Sequence, residues 1–178
     1  MDYIGKRISI KKTEKETSIV ILSTVDKIKK KLLFAWFALW TICGLIVAIE
    51  YFVLKDQQTR VAIIVWLGFW AYFEYKTLIA VRWRSFGMEK IKLKERKLFY
   101  KRDIRGKGKV KIYEFDFIKD FKVLDSKEDS FFDNLNHSYW VISGEKLTFD
   151  YYGKEIKMGL QLEDADAKTL FKLINGKI

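Results

Sequence analysis

The chain has 178 residues, 34 Lys plus Arg against 23 Asp plus Glu, a formal charge of +11 and one cysteine. A single cysteine excludes an intrachain disulfide and a thiolate metal cluster, and the length accommodates one domain plus a membrane part. Clustered basic residues can neutralise phosphates in nucleic-acid binding. Here the lysines flank apolar segments, as a membrane topology signal does, so nucleic acid is not expected as a partner.

In chain order, residues 6–22 alternate in two bursts, Ile8 and Ile10, then Ile19, Val20, Ile21 and Leu22. The polar run from Lys11 to Glu16 separates them, which predicts a β-hairpin. Ser23 stands as an N-cap with Asp26 three residues on, where a capping-box acid belongs. From about Thr24 a helix with Val25, Ile28 and Leu32 on one side leads into the first apolar segment, past Lys27, Lys29, Lys30 and Lys31.

Two apolar segments follow, 32–54 with 23 residues and 61–81 with 21 residues. An α-helix needs roughly 20 residues to cross a hydrocarbon core of about 30 Å. The six residues between them, Lys55 to Arg60, can close a helical hairpin but hold no domain. The first segment is too long for the core of a cleaved signal, and no small-x-small site follows it, so the anchor is expected to stay. Lys27, Lys29, Lys30, Lys31, Arg82, Arg84 and Lys90 flank one side, against Lys55 and Arg60 on the other. The positive-inside rule then predicts both termini in the cytoplasm and a multi-pass protein of the cytoplasmic membrane.

After Phe86, charged residues alternate with β-formers. Strands are expected at 91–93, 98–100, 110–115, 117–124, 139–142, 147–152 and 156–160, with turns at Glu95-Arg96, Gly106-Lys107-Gly108, Ser143-Gly144 and Tyr152-Gly153. Residues 126–137 read as a loop. A last helix is expected over 164–175, where Ala167, Leu170, Phe171 and Ile174 form one apolar stripe. Glu163, Asp164 and Asp166 suit its N-terminal end, Lys172 its C-terminal end, and Gly176 stands at the C′ position.

Three parts result: an N-terminal β-hairpin over 1–23 that could join the C-terminal sheet, a transmembrane helical hairpin over 24–82, and a domain over 83–178. Seven antiparallel strands and a C-terminal helix follow the order of elements in a pleckstrin-homology (PH) domain. The exit run from Arg82 to Ile91 and the run from Leu147 to Gly159 leading into Glu163-Asp164-Ala165-Asp166-Ala167 carry a resemblance. The chain resembles bacterial membrane proteins in which a two-helix hairpin precedes a PH-like domain. That resemblance implies an α+β membrane protein with a seven-stranded antiparallel barrel or sandwich capped by a helix, and it implies no activity.

Glu74 lies fourteen positions into the second segment, where a carboxylate is costly unless paired, protonated or facing protein. In an antiparallel hairpin, positions summing to about 115 share a depth, so Thr41 faces Glu74, and the Thr41 hydroxyl or the Trp40 indole could donate to it. One reading is a proton or cation pathway, which needs an oligomer because two helices cannot enclose a pore. The other has Lys76 reaching the headgroups with Glu74 following it. A basic run containing Lys94, Arg96, Lys97, Lys101, Arg102, Arg105, Lys107 and Lys109 could face anionic lipid, or form solvated strand faces that discourage sheet aggregation. Asp125, Glu128, Asp129 and Asp133 near His137 lack metal-site spacing. Gly106-x-Gly108 lacks a phosphate-loop context, and no nucleophile arrangement supports catalysis. The expected function is a membrane-anchored, non-catalytic binding module without cofactor or metal, its partner a protein or anionic lipid. The alternatives are a channel subunit using Glu74 and an accessory subunit of a larger complex.

Overall fold

The computed structural model describes residues 2–23, 27–124, 142 and 144–178. The strand expected at 139–142, the acidic group beside His137 and the helix start at 24–26 therefore lie almost wholly outside the described residues. The chain divides into two compact units, one of Asp26–Arg84, the other of Met1–Val25 with Ser85–Ile178.

The helical unit consists of α1 (Lys27–Val53) and α2 (Gln57–Phe86). At 1.5 Å per residue, their 27 and 30 residues run about 40 and 45 Å, and both are long and apolar enough to cross a membrane. The connection is shorter than the sequence suggests. Gln57 to Arg60 are polar and read as turn, but they form the first turn of α2, capped by Asp56. Its carboxylate accepts the Thr59 amide at 2.8 Å and the Thr59 hydroxyl at 2.5 Å. Ile42, Ile46, Ile49, Val65, Phe69 and Phe73 all point outward and are more than half exposed.

The β unit holds two antiparallel sheets. The larger orders β1 (Asp2–Ile4), β2 (Ile8–Lys12), β3 (Glu16–Leu22), β4 (Gly87–Lys94), β5 (Lys97–Ile104) and β6 (Val110–Glu114) side by side. The smaller contains β7 (Ile118–Val123), β8 (Glu145–Tyr151) and β9 (Lys154–Leu160). A C-terminal helix, α3 (Asp164–Asn175), follows. The N-terminal hairpin is thus part of the C-terminal sheet, since β3 pairs with β4 from Glu16↔Lys94 to Leu22↔Met88. The two long helices occupy a single strand-to-strand connection, and the Ser23 amide donates to the Gly87 carbonyl at 3.1 Å where the chain leaves and returns.

Alternation decides which faces meet. Ile8, Ile10, Ile19, Ile21, Ile91, Leu93 and Leu98 form the inner face of the large sheet, packed with Leu147, Phe149 and Met158 of the small one. Ala167, Leu170 and Ile174 of α3 complete this core, with Phe171 half-buried against it and its ring 5.2 Å from that of Phe121. The expected stripe is the observed one. Gly176 ends the helix at φ −73°, without the left-handed conformation that a C′ glycine commonly takes.

Six of the seven strands expected after Phe86 stand among the described residues as β4 to β9, the one at 139–142 lies almost wholly outside them, and β1 adds a strand to the expected hairpin of β2 and β3. Of the expected barrel or sandwich the barrel is corrected, since the two sheets do not close. A 3₁₀ turn at Phe115–Phe117 redirects the chain between β6 and β7, which leaves β6 as an edge. Three two-residue turns have both central residues at positive φ: Glu95-Arg96, Arg105-Gly106 and Tyr152-Gly153. That geometry matches the right-handed twist of the strands it joins.

Candidate functional site

The basic run does not form one surface. β5 spans about 27 Å at 3.4 Å per residue, and the basic side chains divide among its two ends, its outer face and its inner face. At one end Arg96 pairs with Asp116, Lys94 with Glu95 at 2.9 Å and Lys97 with Glu114 at 3.6 Å. On the outer face Lys92 meets Glu16 at 2.7 Å and Lys90 meets the buried Asp103 at 2.5 Å. Lys101 lies 3.6 Å from the same carboxylate and donates to the Gly106 carbonyl at 2.8 Å. These lysines and Lys94 surround Phe99 and Val110 in an open hollow of about 430 Å³. The open Lys92–Glu16 pair contributes little to stability, whereas the pairs to Asp103 involve a buried carboxylate.

At the other end, Gly87 pairs with Ile104, so the Arg105-Gly106 turn stands at the sheet end where α2 hands over to β4. The Arg105 guanidinium lies 3.6 Å from the centre of the Phe86 ring, a cation–π contact. Lys107 and Lys109 are exposed beside it.

Arg102 lies on the inner face of β5. It is the cross-strand partner of Glu89, and the pair organises a polar cluster that the sequence reading passed over. The Glu89 side chain is 1% exposed. It accepts the Tyr100 hydroxyl at 2.5 Å and the Gly159 and Leu160 amides at 2.9 and 3.0 Å. Arg102 Nε lies 3.4 Å from it and donates to the Tyr100 oxygen at 2.9 Å, while its fork reaches Glu145 at 2.7 Å. Burial, and then the Glu89 charge, hold the Tyr100 hydroxyl well above its ordinary pKa, so it stays a donor. Gly159 takes φ +74°, and a Cβ there would stand 2.9 Å from the Leu162 side chain. Only glycine presents its amide to Glu89 without strain. Arg7 adds a second clasp, donating to the carbonyls of Leu22, Gln161 and Leu160 at 2.8, 2.5 and 3.0 Å. Together the two clusters join the large sheet to β9.

One signal could have revealed this cluster. In β4 the inward positions are Gly87, Glu89, Ile91 and Leu93, so strict alternation already puts a carboxylate into the core, where it must be paired.

Within the helical unit, Thr41 Oγ1 lies 2.5 Å from Glu74 Oε1 and 2.8 Å from the Phe37 carbonyl. Glu74 Oε2 and the Trp40 indole nitrogen are both shielded and unpaired, so Trp40 does not serve Glu74. One turn away the Trp70 indole donates to the Trp40 carbonyl at 3.1 Å. The Trp70 ring fills the space over Gly44, where a methyl group would collide with it. Lys76 turns over the Tyr72 ring at 5.6 Å. Thr41 and Glu74 thus fix helix register together with Gly44 and Trp70.

The fold and these clusters define an α+β chain with two membrane-length helices inserted into a two-sheet domain. No family model matches the chain, nor does any curated protein or solved structure.

Proposed function

We infer that the chain is a membrane-tethered, non-catalytic binding module of PH-like design. The hairpin crosses the bilayer twice, and the β unit is held at the cytoplasmic surface by the basic end of its large sheet. The observation that carries this reading is the Gly87↔Ile104 register, which sets Arg105, Lys107 and Lys109 at the end where the hairpin departs. Basic residues there gain about 1 kcal/mol each near anionic lipid. Three further features support it. The apolar exterior of both helices suits lipid better than water. Departure and return at Ser23 and Gly87 require an even number of crossings. Two antiparallel sheets packed with a C-terminal helix suit a PH-like core to which the N-terminal strands are added.

The test uses a variant in which an Asn-Gly turn joins Ser23 directly to Gly87, since cutting before Gly87 would strip β1, β2 and β3 from the sheet. This unit should float with vesicles containing phosphatidylglycerol and stay behind with phosphatidylcholine alone. Replacing Arg105, Lys107 and Lys109 by Gln should weaken partition about a hundredfold, from about 3 kcal/mol in all. Equal flotation with neutral vesicles, or no effect of the triple substitution, removes the lipid contact.

A second reading rests on the unpaired Glu74 Oε2: an oligomer of hairpins that passes protons or cations. Glu74→Gln in proteoliposomes should then abolish flux, and flux no greater than that of empty vesicles for the unaltered protein ends this reading.

A further inference from the structure

The β6 strand has an open edge whose backbone phase is set by its partner. Ile104 and Lys107 exchange both amide bonds, at 2.9 and 3.0 Å, and farther along the same pairing the Phe115 amide donates to the Arg96 carbonyl at 2.9 Å. Antiparallel pairs alternate between residues that exchange bonds and residues that do not. With the register Leu98↔Tyr113, Phe99↔Ile112 and Tyr100↔Lys111, Lys111 and Tyr113 bond to β5. Val110, Ile112 and Glu114 turn their amide and carbonyl groups off the sheet.

Natural edges are blunted by proline, bulges, inward charges or lysines. β6 has an unbroken register without proline or bulge, and its lysines guard it against strands other than acidic ones. Val110 and Ile112 are 55% and 52% exposed on the outer face, beside Phe99 and the lysine-lined hollow. Lys109 and Lys111 are exposed and have no carboxylate partner among the described residues. A second copy of β6 paired about Ile112 would set Lys111 opposite Tyr113 and supply no carboxylate to either lysine, so charge favours an acidic partner.

We propose that the β6 edge accepts an extended acidic segment of another protein as an added antiparallel strand, with apolar residues against Val110 and Ile112 and acidic residues beside Lys109 and Lys111. Main-chain bonds supply affinity in strand addition, and alternate side chains supply selectivity. The contact uses the backbone edge and shares only Lys109 with the lipid contact at the Arg105-Gly106 turn. Titration in neutral detergent and the methylated peptides read the edge alone, so either contact can fail without the other.

The probe is a short fluorescent peptide of alternating glutamate and valine, titrated by anisotropy against the full chain in neutral detergent. Saturable binding is expected, at least tenfold weaker with Lys109→Glu and Lys111→Glu together, and absent for a lysine–valine peptide. Peptide chemistry supplies a control that leaves the protein unaltered. In the proposed pairing the valines stand opposite Val110 and Ile112, so their amides face β6, while the glutamate amides face away. Methylating the valine amides should abolish binding, and methylating the glutamate amides should leave it within about twofold. Absence of binding, equal binding of the lysine–valine peptide, or equal effects of the two methylation patterns would overturn the proposal.

Discussion

Glu89 offers a sharp quantitative test of the β unit. Replacing it by Ala removes the acceptor for the Tyr100 hydroxyl and for the Gly159 and Leu160 amides, and strips Arg102 of one of its two carboxylates. Each buried donor left unsatisfied costs about 1–3 kcal/mol, and breaking a buried charge pair about 3–5 kcal/mol. These losses overlap, since Arg102 keeps Glu145 and water can reach part of the vacated space. A destabilisation of about 4 kcal/mol is the resulting expectation. Glu89→Gln retains one acceptor but directs its own NH₂ toward converging donors, and should cost about 2 kcal/mol. Urea unfolding of the Ser23-to-Gly87 joined unit, followed by far-ultraviolet circular dichroism, reads both values. With a slope of about 2 kcal/mol/M, the midpoints should fall by about 2 M and about 1 M. A loss below about 1 kcal/mol for Glu89→Ala would refute the claim that this carboxylate ties the large sheet to β9.

Two more outcomes follow from the same geometry. Gly44→Leu should loosen the helical hairpin by about 1–3 kcal/mol through collision with Trp70, seen as a lower midpoint of unfolding in mixed detergent micelles. Gly68→Leu, at a position with open space around its Cβ, should not. The hydrogen bond from Lys90 holds the Asp103 carboxyl below its ordinary value of 3.8. A depressed carboxylate contributes stability that is present above the ordinary value and lost as pH falls through the lower, folded one. Acid unfolding of the full chain in detergent should therefore steepen below about pH 4, and Asp103→Asn should flatten that limb; an unchanged limb contradicts the pairing.

What could be read from the sequence follows from how far each signal reaches. The two apolar segments and the stripe of α3 are local patterns longer than any competing one, so their existence was legible and only their ends moved. The polar first turn of α2 passed for loop because polarity was read before the Asp56 cap. Depth matching placed Thr41 opposite Glu74 because an antiparallel helix pair leaves one free parameter. By contrast, β1 is three residues long, too short for alternation to register. The union of β3 with β4 joins residues on either side of the hairpin, a pairing no local window contains. The basic run looked like one surface because sequence proximity hides the strand period, which turns Arg102 inward beside Glu89 while Lys101 stays on the outer face. The Glu89 cluster draws on β4, β5, β8 and β9, so only the misplaced carboxylate in an alternating strand announced it.

The most direct measurement concerns sidedness. In a Cys43→Ser background, Tyr3→Cys, Lys177→Cys and Lys55→Cys are each probed with a membrane-impermeant maleimide on intact cells and after lysis. The account predicts that Lys55→Cys reacts from outside, while Tyr3→Cys and Lys177→Cys react only after lysis. Labelling of the two end positions from opposite sides, or recovery of the chain in the soluble fraction without detergent, would contradict it.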